Sequence, residues 1–139
     1  MGYGLPAAVA AKLVQPHRPA IVFAGDGCFM MTGQELATAA QYQISVVIVI
    51  VNNGMFGTIR MHQERQFPGR VIGTELVNPD FCVLAQAYGA HAERVEETAA
   101  FLPALRRALD VSGPSLIELI VDPEAITPTR ALSDLNVGG

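Results

Sequence analysis

Charged side chains are scarce in this sequence. Only 16% of its 139 residues are charged, against about a quarter in an ordinary globular chain. The net charge is -4, so no basic field attracts a polyanion, and nucleic acid is not an expected partner. Because half of the residues are hydrophobic, which is a high share for a soluble domain, we expect a partner to cover part of the apolar surface.

Long apolar runs and paired cysteines are also missing. The longest apolar run, at residues 46–51, is far shorter than the roughly 18 to 20 residues that cross a bilayer. The apolar start of the chain has no basic stretch before it, as a secretory signal would have. Cys28 and Cys82 stand alone, which argues against a zinc site or a disulfide framework. We therefore predict a cytoplasmic protein with no membrane partner.

Two apolar runs rich in β-branched residues lie at residues 20–24 and 45–51. Continuous apolar runs of this length are typical of strands covered on both faces, so we expect both to be central strands of a parallel sheet. Residues 34–42 have helical spacing, and Thr32 followed by Glu35 has the Thr-x-x-Glu pattern of a capping box. Together these signals predict a strand, helix, strand unit.

The second half of the chain continues this alternation. A helix is expected over residues 80–88, ending at Gly89, and a strand over residues 91–95. An amphipathic helix is expected over residues 98–111, and a last strand over residues 115–121. The apolar face of the amphipathic helix is predicted to consist of Phe101, Leu102, Leu105 and Leu109. The alternation predicts an α/β fold of three layers, with helices on both faces of a parallel sheet.

Residues 1–122 are predicted to form one domain, followed by a tail at residues 123–139 with weak structural signals. Residues 53–78 have no clear periodicity, and loops of that length in compact domains often carry function. A charged patch in this segment consists of Arg60, His62, Glu64, Arg65 and Arg70. We expect a solvated, mobile surface there; the alternative is a lid with His62 or Gln63 facing a substrate.

Polar, glycine-rich segments follow the two most apolar strands: Gly25-Asp26-Gly27 and Asn52-Asn53-Gly54. The carboxyl ends of parallel strands meet at one edge of a sheet, where ligands bind. Asp26 offers a carboxylate oxygen and Asn53 an amide oxygen, which suit Mg²⁺ or Ca²⁺ better than a soft metal. Since Mg²⁺ often takes further ligands from phosphates and water, the pair predicts a metal-bridged phosphate ligand. Taken singly, each segment is more often a simple turn.

The combined pattern, Gly25-Asp26-Gly27, then 24 residues, then Asn52-Asn53, closely resembles the thiamine-diphosphate-binding motif of the pyruvate decarboxylase and acetolactate synthase superfamily. The segments at residues 1–8, 78–81 and 114–118 are also similar to that group, and residues 55–60 are most similar to bacterial acetolactate-synthase-like proteins. The resemblance implies that residues 1–122 are the C-terminal, diphosphate-binding domain of such an enzyme, truncated at its N-terminus.

Site residues follow from the resemblance alone. It implies Mg²⁺ ligation by Asp26, Asn53 and the backbone carbonyl of Met55. The residues that it places against thiamine diphosphate are Gly2, Tyr3, Gly25, Asp26, Gly27, Cys28, Asn53 and Met55. Many relatives have Ser or Ala in place of Cys28. No catalytic residue is assigned, since the glutamate that activates the cofactor in the family lies on a separate pyrimidine-binding domain.

The implied function is that of a thiamine-diphosphate-dependent lyase or transferase that decarboxylates or ligates a small 2-oxo acid. The chain would act only within a larger homo-oligomeric assembly, with the pyrimidine-binding domain on the rest of the chain or on another subunit, and would be inactive alone. Two alternatives stay open. One is a Mg²⁺-dependent module that binds a nucleotide or phosphometabolite without carboligase activity, and the other is a relative that has lost its ligand.

Overall fold

A parallel four-stranded sheet forms the centre of the computed structural model, which describes residues 1–136. The strands are β1 (Ala20–Gly25), β2 (Val46–Asn52), β3 (His91–Val95) and β4 (Ser115–Ile120), in the spatial order β1-β2-β4-β3. The α-helices are α1 (Gly4–Val14), α2 (Asp26–Phe29), α3 (Leu36–Gln41), α4 (Gly57–Gln66), α5 (Phe81–Ala87) and α6 (Thr98–Asp110). Helices cover both faces of the sheet, which confirms the predicted α/β architecture.

Strand β2 lies in the middle of the sheet, as its unbroken apolar sequence predicts. Its first five residues are buried, and it pairs in parallel with β1 on one side and β4 on the other. Gly25, the last residue of β1, is paired with Val51 of β2. The two polar segments after these strands therefore leave the sheet at the same level.

The prediction that β1 is also central is wrong, because β1 is an edge strand. Helix α6 covers β2, β3 and β4 on one face of the sheet. On β1 the same face carries Ile21 and Phe23, which stay exposed. The apolar run therefore identified a strand correctly but did not reveal that one of its faces and one of its edges are open.

The larger core lies on the opposite face, where α1, α3 and α5 pack on the sheet. Phe29 and Phe81 meet there edge to face, with ring centroids 5.6 Å apart and planes at 84°, a favourable arrangement for aromatic pairs. Helix α5 begins at a hydrogen bond from the Val83 amide to the Asp80 carboxylate and ends before Gly89, whose φ is +81°. Both ends match the sequence prediction for this helix.

The predicted capping box at Thr32 and Glu35 is wrong. A short 3₁₀ helix, Gly33–Glu35, precedes α3, and the Thr32 side chain makes no capping hydrogen bond. Instead the Thr32 hydroxyl donates to the Gly2 carbonyl at 2.7 Å, and Glu35 accepts from the Thr38 hydroxyl. A contact with a segment 30 residues away therefore replaces the local one, and it fixes Gly2 beside the end of β1.

Helix α6 lies where the sequence predicts it, but its buried face differs. Ala104 and Ala108 are buried, with Phe101 and Leu105 packed beside them. These four residues have the spacing i, i+3, i+4, i+7 of one helical face. Leu102 and Leu109 are instead exposed. The two small alanines face the sheet, and an interpretation based on large apolar residues overlooks them.

Residues 53–78, which show no periodicity, contain the ten-residue helix α4. The expectation of a solvated charged patch is wrong for Glu64, because this residue is fully buried. Its carboxylate accepts a hydrogen bond from the Gly69 amide at 2.8 Å and forms an ion pair with Arg60. His62 is exposed, whereas the Gln63 amide donates to the Ile72 carbonyl at 2.7 Å. The lid alternative stays a prediction.

The segment after residue 122 is partly ordered onto the domain. It includes a 3₁₀ helix, Ser133–Asn136, that contacts α4, and Leu132 is buried. The predicted domain boundary at residue 122 stays a prediction, and residues 137–139 of the predicted tail lie outside the described residues. Within residues 1–136 no helix is long and apolar enough to cross a membrane; the cytoplasmic location stays a prediction.

Truncation of Phe81 tests the larger core. Phe81→Ala should lower the free energy of unfolding by about 3–5 kcal/mol, because a buried aromatic ring is replaced by a cavity. Val83, in the same helix, is exposed, so Val83→Ala should change the free energy by less than about 0.5 kcal/mol. Urea denaturation of both variants measures the difference, and equal midpoints would contradict the packing described here.

Candidate functional site

A cavity of about 410 Å³ lies at the carboxyl ends of β1 and β2, lined by Met1 and by residues 25–28 and 55–59. It brings together Gly25, Asp26, Gly27, Cys28 and Met55 of the predicted site. A larger groove of about 710 Å³ runs between α1 and the open side of β1. None of the residues lining that groove carries a carboxylate, a thiol or an imidazole. The smaller cavity, by contrast, is lined by the carboxylate of Asp26 and the thiol of Cys28.

Asp26 is the charged group of this cavity. The chain turns from β1 into α2 at this residue, and the side chain is only 2% exposed. Its Oδ1 accepts from the Gly27 amide at 2.9 Å, and its Oδ2 accepts from the Gly54 amide at 2.9 Å and from Asn78 Nδ2 at 2.7 Å. Within residues 1–136 it forms no ion pair. A buried carboxylate held by neutral donors favours a cation beside it.

Asn53 and Met55 lie on the turn that leads from β2 into α4. Asn53 Oδ1 accepts from the Met55 amide at 3.2 Å, and the Met55 carbonyl accepts from the Gly57 amide at 2.9 Å. A Cβ at Gly57 would lie 2.8 Å from Asn53 Nδ2, so this glycine makes room for the asparagine. Each of the two oxygens keeps a second lone pair, which leaves both able to bind a cation.

Gly27 is required by its contact with an aromatic ring. A Cβ at this position would lie 2.3 Å from Cε1 of Phe56 and 3.0 Å from Cδ1 of Leu76. Phe56 is itself held by a hydrogen bond from its amide to the Thr74 carbonyl at 2.8 Å. The absence of a side chain therefore lets Phe56 form one wall of the cavity directly against the backbone that follows Asp26.

The N-terminal segment closes one side of the cavity. The Gly2 amide donates to Cys28 Sγ at 3.2 Å, and Gly2 has a φ of +72°. Met1 lines the cavity, whereas Tyr3 is 80% exposed and lies outside the lining. The structure thus places Gly2 against Cys28, which lines the cavity, and leaves Gly2 and Tyr3 outside the lining.

Three polar residues behind Asp26 are absent from the site that the sequence predicts. Asn78 Nδ2 bridges Asp26 and Asn52 Oδ1, at 2.7 and 3.0 Å, and Asn52 Nδ2 donates to Glu118 Oε1 at 2.8 Å. The apolar pattern around Glu118 predicts only its strand. The signal that could have found it is a charged residue within an otherwise apolar strand, since buried glutamates are rare unless paired.

Asp80, Cys82 and Glu118 form the only cluster of His, Cys, Asp or Glu side chains in residues 1–136 that is close enough to hold a metal. Arg94 already occupies this cluster. Its Nε donates to Glu118 Oε2 and its Nη2 to Asp80 Oδ2, both at 2.9 Å. Burial, followed by the charge of Glu118, raises the pKa of the Cys82 thiol to about 11. This cluster is therefore an internal ion pair with a protonated thiol.

Substitution of Gly27 tests the wall formed by Phe56. Gly27→Ala should destabilise the fold by about 1–3 kcal/mol, because the new methyl group overlaps the ring. Gly25, two residues earlier, has open space around its Cα and an extended backbone with a φ of -67°. Gly25→Ala is therefore the matched control and should leave the melting temperature nearly unchanged. Equal melting temperatures for the two variants would show that Phe56 does not constrain position 27.

Cys82 should be unreactive at mildly alkaline pH. In a Cys28→Ser background, iodoacetamide at pH 8 should alkylate folded Cys82 at least about 100-fold more slowly than the urea-unfolded chain, since a thiol with a pKa of about 11 holds little thiolate. Adding Glu118→Gln should speed the reaction by removing a negative charge beside the sulfur. Mass spectrometry measures both rates, and equal rates in the folded and unfolded chains would contradict this environment.

The family model described as "Thiamine pyrophosphate enzyme, C-terminal TPP binding domain" matches residues 1–119. The chain is 38% identical over 123 residues to the acetolactate synthase isozyme 2 large subunit of Escherichia coli, covering 88% of this chain and 22% of that protein. It is 39% identical over 122 residues to the mitochondrial acetolactate synthase catalytic subunit of Aspergillus candidus, covering 88% of this chain and 18% of that protein.

A solved structure has the same fold. It is the thiamine diphosphate-dependent 4-hydroxybenzoylformate decarboxylase of Rhodococcus jostii RHA1, which superposes with a TM-score of 0.83 at 38% identity. The match covers 88% of this chain and 23% of that one. The present chain thus spans about a fifth of the length of the relatives that it matches.

Proposed function

Because this chain belongs to the family of C-terminal thiamine-pyrophosphate-binding domains of thiamine pyrophosphate enzymes, we propose that the cavity beside Asp26 binds the diphosphate of thiamine diphosphate through Mg²⁺. This family membership confirms the prediction that was based on the spacing of the two polar segments. The observation that carries the proposal is the carboxylate of Asp26, which is 2% exposed and accepts its hydrogen bonds from neutral N–H donors. A bound Mg²⁺ would supply a compensating positive charge.

The donor set fits Mg²⁺. Asp26, the Asn53 side chain and the Met55 carbonyl all offer oxygen, and one of the three is charged. Mg²⁺ prefers such hard ligands and takes the rest of its shell from phosphates and water. A cavity of about 410 Å³ is within the usual range of small-ligand sites. These residues, with Gly25, Gly27, Cys28 and Gly2 around them, are the proposed contacts of the cofactor.

Thiamine diphosphate, when bound, supplies the carbanion and the electron sink for chemistry at a carbonyl carbon. The residues of this chain bind and orient it. Phe56 and Met1 line the cavity. The backbone between Asn53 and Gly57 is fixed by its own hydrogen bonds, so the proposed ligands are held in place before the cofactor arrives. The catalytic residue is not assigned to this chain.

The whole protein is proposed to be a lyase or transferase acting on a small 2-oxo acid. This proposal is supported by the names of the relatives, which are acetolactate synthases and a 4-hydroxybenzoylformate decarboxylase. We further propose that the chain alone is inactive and that a pyrimidine-binding domain, elsewhere in the protein or on another subunit of a homo-oligomer, completes the site. Exposed apolar side chains such as Phe23 and Val77 are consistent with further contacts of this kind.

Calorimetric titration of thiamine diphosphate into the chain tests the proposed cofactor. Binding should require Mg²⁺ and vanish in EDTA. Asp26→Ala should weaken binding of the cofactor by at least roughly 10–100-fold, because loss of a residue that only supports a metal ligand already has an effect of that size. Asp110→Ala removes the same charge from an exposed position at the end of α6 and should bind as the wild type does.

Three results would contradict this proposal. Binding that persists in EDTA would exclude the metal bridge. Asp26→Ala binding as tightly as Asp110→Ala would remove Asp26 from the site. ATP binding with Mg²⁺ as tightly as thiamine diphosphate would favour a general nucleotide module instead.

A further inference from the structure

The Asp26 carboxylate is held by groups that lie outside the Gly-Asp-Gly segment. Asn78 Nδ2 donates to Asp26 Oδ2 at 2.7 Å and to Asn52 Oδ1 at 3.0 Å. The Gly54 amide donates to the same two oxygens, at 2.9 and 3.1 Å. Two donors therefore bridge the carboxylate of Asp26 and the amide oxygen of Asn52. The orientation of Asp26 depends on which end of the Asn52 amide faces these donors.

Glu118 determines the orientation of Asn52. Asn52 Nδ2 donates to Glu118 Oε1 at 2.8 Å, and the Glu118 side chain is 2% exposed. A carboxylate can only accept, so the NH₂ end of Asn52 must point to Glu118. The oxygen end must then point to Gly54 and Asn78. If Asn52 turned over, its NH₂ group would meet the two donors and break both bridges.

Glu118 is in turn fixed and neutralised inside the fold. Its second oxygen accepts from Arg94 Nε at 2.9 Å, and Arg94 also pairs with Asp80, which caps α5. Glu118 therefore already has its counter-charge, whereas Asp26 has none among residues 1–136. The difference identifies Glu118 as an anchor for other groups and Asp26 as the residue left for a cation.

We propose that Glu118 and Asn78 are positioning residues for Asp26: Glu118 orients Asn52, Asn52 orients Asn78, and Asn78 with Gly54 fixes the carboxylate for Mg²⁺. This inference rests on the proposed function of Asp26. A carboxylate has about four lone-pair positions, and N–H donors occupy three of them here. The network thus leaves one position, on Oδ1, open in a fixed direction.

Reversal of one hydrogen bond provides the sharpest test. Asn52 and Arg94 donate to different oxygens of Glu118. In Glu118→Gln one of these oxygens becomes an NH₂ group, which cannot accept, so with Arg94 on the remaining oxygen Asn52 loses its orientation. Asn52→Asp alone sets a second carboxylate against Glu118. In the double variant, the amide introduced at position 118 can donate to the carboxylate introduced at position 52, while its oxygen accepts from Arg94. That new carboxylate still accepts from Gly54 and Asn78, so every hydrogen bond is restored with the charge moved from one side chain to the other.

Each single variant, and Asn78→Ala, should weaken Mg²⁺-dependent binding of thiamine diphosphate by roughly 10–100-fold. Loss of a residue that hydrogen-bonds to a metal ligand typically has an effect of this size. The double variant should bind more tightly than either single variant, since its hydrogen bonds are restored and the two substitutions are coupled. Glu93→Gln is the matched control, because Glu93 is also a strand glutamate paired with an arginine, Arg107. Within residues 1–136 its side chain contacts His91 and Arg107 rather than Asn52, and its replacement should leave binding unchanged.

A readout without cofactor separates positioning from general damage. Hydrogen exchange of the Asn78 side-chain amide, followed by NMR in the absence of Mg²⁺ and cofactor, should be slow in the wild type, fast in Glu118→Gln and slow again in the double variant. A merely structural role would lower the free energy of unfolding without this recovery.

Two results would overturn the inference in different ways. If Asp26→Ala abolishes binding while Glu118→Gln and Asn78→Ala bind like the wild type, the proposed function stands and the positioning network does not. If the wild type shows no Mg²⁺-dependent binding even when a pyrimidine-binding domain is supplied, the proposed function fails and the inference fails with it.

Discussion

The buried carboxylate of Asp26 is the constraint on which the site depends. Taking a charge out of water costs several kcal/mol even after the protein relaxes, and three N–H donors offset that cost. Those donors come from the residue after Asp26, from the end of β2 and from the segment before α5. The charge therefore requires three separate parts of the chain to converge at one edge of the sheet, and the proposed cation site depends on that convergence.

The rest of the fold supplies that convergence. Parallel pairing of β1 with β2 brings Gly25 level with Val51, so the polar segments after both strands emerge side by side. Gly27 and Gly57 then allow Phe56 and Asn53 to pack against bare backbone. Behind them lies a second buried carboxylate, that of Glu118, whose charge is neutralised by an ion pair with Arg94. Within residues 1–136, one hydrogen-bond network thus joins an acid that has its counter-charge to an acid that has none.

Local pattern was sufficient for the strands and for helices α3, α5 and α6. The β-branched runs located β1 and β2, and Gly89 marked the end of α5. The family was predictable because the two polar segments have a specific spacing across one strand, helix, strand unit. The predictions that failed depended on contacts between residues that are distant in sequence. The Thr32 hydroxyl bonds to Gly2 across 30 residues, and Asn78 reaches Asp26 across 52 residues. No short-range pattern encodes such contacts.

The most direct test of the central claim is a crystal structure of the chain grown with thiamine diphosphate and Mn²⁺, with the metal located by anomalous scattering. We predict one metal peak bonded to Asp26, the Asn53 side chain and the Met55 carbonyl, with the diphosphate on its open side. A diphosphate bound elsewhere, or a metal peak within the Asp80, Cys82 and Glu118 cluster and none at Asp26, would contradict it.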